Sequence, residues 1–149
     1  MRRGAVRYVL DTHFFVDVLR GGPGEDAVLR FLGSNVDDVD FHALVGAELL
    51  LGAVTPGAVD DVHQRVLGRF KPARLLVPDQ GDLLAAGDAL RRLRELDGEH
   101  PEHRQRNFWN DVIVAVTCRR RGRALVTHDA DHARIARVVK HRVLKALPF

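Results

Sequence analysis

Val6-Arg7-Tyr8-Val9-Leu10-Asp11-Thr12-His13-Phe14-Phe15 is the stretch that decides the fold. Val6 to Leu10 is β-branched and aromatic, which reads as a short buried strand, and it stops at the polar pair Asp11-Thr12. Phe14, Phe15, Val18 and Leu19 then recur at helical spacing, so a helix follows at once over 13–20, and Gly21-Gly22-Pro23-Gly24 ends it.

Working outward, the pattern repeats. Residues 25–33 predict a second short helix, and the alternation of Val36, Val39 and Phe41 predicts a strand over 36–41 that runs into a helix over Ala43–Val54. Pro56-Gly57 opens a helix to about Phe70, Pro72 closes it, and Arg74-Leu75-Leu76-Val77 is a third strand stopped by Pro78. Asp79 or Asp82 caps a helix to about Leu96, and Asp97 to Arg106, with Gly98 and Pro101, reads as a polar surface linker. A helix over Asn107–Arg121 ends at Gly122, and Ala124-Leu125-Val126-Thr127 is a fourth strand running into His128-Asp129. A short helix over 131–137 and a strand near 142–147 finish the chain. Strands separated by helices predict an α/β fold: a mostly parallel sheet of four to five strands, covered on both faces in three layers.

The 149 residues fit one domain spanning 1–149, and a 46% hydrophobic content builds its core without disulfides. Cys118, the single cysteine, lies in an apolar run and reads as a buried thiol. The apolar stretch after Arg2 and Arg3 is interrupted by Arg7 and ends at Asp11, too short for a signal peptide, and nothing approaches a membrane-spanning length. The expected setting is therefore cytoplasmic. The net charge of +3 hides a skew: residues 1–90 carry 9 Lys+Arg against 13 Asp+Glu, and residues 91–149 carry 14 against 7. That skew suits a polyanionic partner, although arginine-rich helices more often present a solvated face.

Four acids stand where an ordinary core or cap explains them poorly. Asp11 and Asp129 each follow directly on a short apolar strand, and ligands of open parallel sheets collect beyond those carboxyl ends. Capping of the helix over 13–20 is the alternative for Asp11 and Thr12. Glu48 has Leu44, Val45, Leu51 and Gly52 at helical spacing, and Asp111 has Phe108, Val114 and Ala115. A carboxylate in such surroundings must be paired, protonated or bound to a cation, so an arginine salt bridge is the competing explanation for each. A hard divalent ion, Mg²⁺ or Mn²⁺, accounts for all four at once, because oxygen-only ligation suits it and it can acidify a water for attack on a phosphodiester.

These residues resemble a known family along nearly the whole chain. Tyr8-Val9-Leu10-Asp11-Thr12-His13-Phe14-Phe15, Ala47-Glu48-Leu49-Leu50-Leu51-Gly52-Ala53, Asn110-Asp111-Val112-Ile113-Val114-Ala115 and Thr127-His128-Asp129-Ala130-Asp131 are similar, in order and spacing, to the four motifs of a PIN domain. The chain resembles in particular a VapC-like toxin ribonuclease. That resemblance implies a PIN-like sandwich and a metal site of Asp11, Glu48, Asp111 and Asp129. Asp131 is a fifth ligand in this reading, and Thr12, His13, Asn110 and Thr127 are supporting groups. It also implies a single-stranded or looped RNA substrate such as tRNA or rRNA, a small antitoxin partner and a homodimer. Two positions depart from the family pattern: His13 stands where Asn or Ser is usual, which bears on metal choice, and His132 stands where Phe usually anchors the turn.

Competing readings explain less. His128-Asp129 resembles the metal pair of HD-domain phosphohydrolases, but that family is all-helical and this pair follows a strand. Asp11-Thr12-His13 lacks the Asp-x-Asp of a haloacid-dehalogenase-like phosphatase. A catalytically silent PIN-like module that binds RNA or protein is the alternative from another class, and the four retained carboxylates argue against it.

Overall fold

The computed structural model describes residues 5–149; Arg2 and Arg3 lie outside them. Five short strands form one sheet in the order β3-β2-β1-β4-β5, every neighbouring pair parallel. They are β1 (Arg7–Leu10), β2 (Val39–His42), β3 (Leu75–Leu76), β4 (Arg123–Val126) and β5 (Arg142–Leu144). The register sets Leu10 beside Val126, so β1 and β4 end level with each other and deliver Asp11 and Thr127 to the same edge.

Because side chains alternate along a strand, each face of the sheet has its own core. Leu10, Val39, Phe41 and Val126 point to one face and pack with α1 (Thr12–Arg20), α2 (Glu25–Asn35) and α3 (Ala43–Leu51). Val9 and Leu125 point to the other, against Val114 and Cys118 of α6 (Arg106–Arg121), which α5 (Gln80–Asp97) and α7 (Asp131–Val139) flank. This is the three-layer sandwich the pattern of strands and helices predicts. Cys118 is completely buried, and burial pushes its thiol up to about 12.

Besides shorter ends to α3, β3 and β5, three segments differ from the sequence reading. Residues 36–38 form a 3-10 turn, and the second strand begins at Val39; this sets Asp40 inside a fully buried strand where alternation predicts only apolar positions inward. The helix expected over 56–70 is α4 (Pro56–Asp61), followed by a π-type turn at Val62–Val66 and a 3-10 turn at Leu67–Arg69. The 97–106 linker is mostly exposed, but its 3-10 turn Pro101–Arg104 buries His103 against Phe108. Helices α1 and α6 both end on glycines in the left-handed region, Gly21 (φ +63°) and Gly122 (φ +64°). Among the described residues no helix is long and apolar enough to cross a membrane.

Candidate metal centre

At the carboxyl edge of the sheet lies a cavity of about 720 Å³ lined by Asp11, Glu48, Asp111 and Asp129 together with Thr12, His13, Arg106, Asn107 and His128. The four acids that the sequence singles out come from four separate elements and converge there. Asp11 ends β1 and caps α1, accepting the Thr12 backbone N–H at 2.8 Å, while its other oxygen accepts the Thr127 hydroxyl at 2.5 Å. The capping reading of Asp11 is therefore correct as geometry, and it coexists with a place in the cavity wall. Capping orients the carboxylate without neutralising it.

Glu48 is also held by neutral donors. The Thr12 hydroxyl donates to one oxygen and the Asn110 side-chain amide to the other, at 3.2 Å in the second case. Only part of the apolar surroundings that single out Glu48 in sequence is core: Val45 and Leu49 are buried, whereas Ala47 and Leu51 are exposed, and Glu48 itself is half-buried at the cavity wall. One side of this apolar helix is packed and the other is exposed, a distinction that an uninterrupted apolar run does not make.

Asp129 accepts the Asp131 backbone N–H at 2.9 Å, and the Thr127 hydroxyl accepts the Asp129 N–H at 3.0 Å. This short hydrogen-bonded turn brings Asp131 close. Oxygen atoms of Asp111, Asp129 and Asp131 lie within 4.8 Å of one another, close enough to share one cation. Asp11 and Glu48 share the cavity but stand outside this triplet, whereas Asp131 belongs to the triplet but does not line the cavity.

The electrostatics fit a hard cation. Burial pushes the Asp111 carboxyl up to about 6; His132 opposes the shift, and the negative charges of Asp11 and Asp129 add to it. Asp131 is also raised, by burial first and then by Asp129. Among the described residues no arginine or lysine comes within 4 Å of Asp11, Glu48, Asp111 or Asp129; the nearest ionic partners of the group are His132, 3.8 Å from Asp111, and Arg134, 4.0 Å from Asp131. Among the described residues these four acids therefore lack the arginine salt bridges that compete with metal binding. An all-oxygen donor set that destabilises itself could hold a divalent cation.

His141 went unnoticed in the sequence, and the surroundings of His13, His132 and the arginines become visible only in the fold. His132, expected to weaken the anchoring of its turn, is fully buried, and its Nδ1 lies 3.1 Å from His141 Nε2, so a polar pair fills the space a large apolar ring would take. Its other nitrogen faces Asp111. Burial holds His13 below its ordinary range despite the nearby Asp11. Arg106 lines the cavity, but most arginines of the basic second part are already paired: Arg91 and Arg92 with Asp88, Arg104 with Glu99, Arg120 and Arg121 with Asp79 and Asp82, Arg123 with Asp40. Beside the cavity a smaller groove of about 140 Å³, lined by Val16, Leu19, Leu49, Ala53 and Val62, adjoins Thr12 and Glu48.

Comparison with known proteins places this geometry. A family model described as "PIN domain" matches residues 8–138. A search of curated proteins finds no match. Among solved structures, FitAcB from Neisseria gonorrhoeae is 21% identical with a TM-score of 0.68, over 93% of this chain and 96% of that one. VapBC2 from Rickettsia felis, solved bound to a DNA fragment from its promoter, is 18% identical with a TM-score of 0.69, over 93% and 98%. DNA-bound VapBC from Salmonella typhimurium is 17% identical with a TM-score of 0.67, over 94% and 98%.

Proposed function

From the premise that this chain belongs to the PIN domain family, we propose that it is a Mg²⁺- or Mn²⁺-dependent endoribonuclease, the toxin of a toxin–antitoxin pair. One observation carries the reading: four carboxylates from separate elements meet in one cavity, and among the described residues no arginine comes within 4 Å of any of them. Asp111, Asp129 and Asp131 would hold the ion, with Asp11 and Glu48 facing the same space. When bound, it supplies Lewis-acid activation of a water and neutralises charge developing on phosphate.

The chain's own residues do the positioning. Thr127 and the Thr12 backbone fix Asp11, and Thr12 and Asn110 fix Glu48, so each carboxylate is held on both oxygens without losing its charge. A carboxylate fixed in this way accepts a proton at a defined place. Arg106 gives the cavity one cation for the backbone of a bound strand.

The antitoxin side of the proposal has separate support. The structural neighbours include complexes titled VapBC and FitAB, solved with DNA. Leu51, 62% exposed at the wall of the acidic cavity, and Val54, 90% exposed, are chain neighbours of Gly52 and Ala53 of the smaller groove beside Glu48, and together they offer apolar surface suited to an apolar segment of such a partner. Homodimerisation and the single-domain reading of 1–149 belong to the same proposal.

The test is cleavage of single-stranded and structured RNA by the purified protein with Mg²⁺ or Mn²⁺, next to Asp11→Asn. Metal-dependent cleavage by the wild type, abolished in the variant, is expected. Equal residual cleavage by both would assign the activity to a contaminant and leave a binding module.

A further inference from the structure

The cavity has a second chemical character that the acids do not explain. The imidazoles of His13 and His128 stack, with ring centroids 4.6 Å apart and planes at 30°. Phe14 lies 4.0 Å from His13 and 5.1 Å from His128. Exposure grades along this three-ring cluster: Phe14 is buried, His13 is half-buried and His128 is exposed. The cluster is therefore anchored in the core through Phe14 and ends on an open ring at the cavity.

Neither imidazole is explained by polar contacts. Among the described residues His13 Nε2 is buried without a hydrogen-bond partner, and neither ring joins the group of acids able to share a cation. What the cluster offers is a rigid π-face, held one residue away from Asp129. Stacked aromatic rings beside a phosphate-handling site are how proteins hold unpaired nucleobases, and such stacking tolerates any base because every base has a π-face.

We propose that His128, backed by His13 and Phe14, is a stacking platform for the nucleobase next to the phosphate that enters the acidic cavity; this rests on the nuclease reading, which places a phosphodiester there. The base lies on the exposed face of His128, its phosphate toward the acids, and Arg106 and Asn107 of α6 line the space that the next nucleotide enters. A base paired in a duplex cannot offer its face in this way. The platform therefore selects unpaired RNA, or an end or loop, by shape rather than by sequence.

The test compares adenosine 5′-monophosphate with ribose 5-phosphate, which has the same sugar and phosphate and no base, by NMR titration of the wild-type protein with Mg²⁺. The nucleotide should bind roughly tenfold more tightly, within the range base stacking on an aromatic side chain supplies, and should move the ring-proton resonances of His128 upfield. His128→Ala should bring the nucleotide down to the affinity of the sugar phosphate, and His128→Phe, a ring without nitrogens, should restore the preference. Equal affinity of the two ligands, equal weakening of both in His128→Ala, failure of His128→Phe to restore the preference, or no binding of either at millimolar concentration would each overturn the platform. The readout needs no turnover. RNA cleavage without base preference removes the platform and leaves the nuclease, whereas base preference without cleavage removes the nuclease and leaves the platform.

Discussion

Two groups of carboxylates on one sandwich are in opposite electrostatic situations. Asp40 on β2 is 4% exposed, and Arg7, Arg74 and Arg123 close on it from three other parts of the chain. Asp82, completely buried near the start of α5, is held by Arg120 at 2.6 Å and Arg121 at 2.7 Å. At the carboxyl edge of the sheet, Asp11, Glu48, Asp111 and Asp129 have no such guanidinium partner among the described residues. Burial pushes Asp82 up, yet the Asp79 backbone hydrogen bond and the two guanidiniums more than offset it and hold it below its ordinary range. Burial also pushes Asp111 up, and His132 offsets it only in part. Among the described residues this chain pairs its buried structural carboxylates with guanidiniums and leaves the cavity acids without one.

The widest separation between the two groups should appear in stability. Asp40→Ala strands three half-buried guanidiniums and should cost about 3–5 kcal/mol, read as a lower urea midpoint at unchanged slope. Asp111→Asn should act in the opposite direction and raise metal-free stability at pH 7 by up to about 3 kcal/mol, the free energy equivalent of its shift from 3.8 to about 6. The sign follows from proton binding: between those two values the folded protein holds a proton that the unfolded chain has released, so wild-type stability falls as pH rises through that window. The gain in Asp111→Asn should accordingly disappear below about pH 4. A destabilised Asp111→Asn at pH 7 without metal would erase the distinction and make Asp111 another structural acid.

The next effect is smaller and concerns orientation. Thr127→Val removes the hydroxyl that donates to Asp11 and accepts from the Asp129 backbone, and should weaken Mn²⁺ binding about 10- to 100-fold by calorimetry, as loss of a ligand's hydrogen-bond partner does. Its cost to stability should be about 1 kcal/mol, the ordinary worth of a hydrogen bond. Unchanged Mn²⁺ affinity would show that Asp11 and Asp129 need no such support.

The same comparison shows how much was legible in sequence. Strands that end in Asp11 and Asp129 identify the site because strand ends are local features, and the parallel register of β1 and β4 then fixes that they meet. The motif around Asn110-Asp111 was equally readable, since a carboxylate on an apolar helix is anomalous before any partner is known. What could not be read was which anomalous acid has a partner. Asp40 in Val39-Asp40-Phe41 is as improbable as Asp111, and its arginines lie 33 and 83 residues away along the chain. The apolar neighbours of Glu48 divide in a way the sequence does not show: Val45 and Leu49 pack into the core, Ala47 and Leu51 are exposed, and a run of leucine and alanine looks the same in both settings. The partner of His132 could not be read either, because His141 is supplied by the tight turn after α7, where Lys140 adopts a left-handed conformation (φ 59°).

The smallest expected effect separates the arginines themselves. The sequence presents the run of arginines from 104 to 123 as a single basic surface, but the structure divides it: Arg104, Arg120, Arg121 and Arg123 each meet a carboxylate, and Arg106 lines the cavity. Exposed ion pairs are weak, so the paired arginines still contribute to the field that draws a polyanion in, yet each carries an opposite charge along with it. Arg106→Ala should therefore reduce the slope of log affinity against log salt for single-stranded RNA by about 0.7, the value for one phosphate contact. Arg104→Ala exposes Glu99 as it removes its own charge, and should shift affinity without a comparable change in slope. Equal slope changes in the two variants would mean that the local pairing is irrelevant to binding and that only the summed charge of the second part of the chain attracts the substrate.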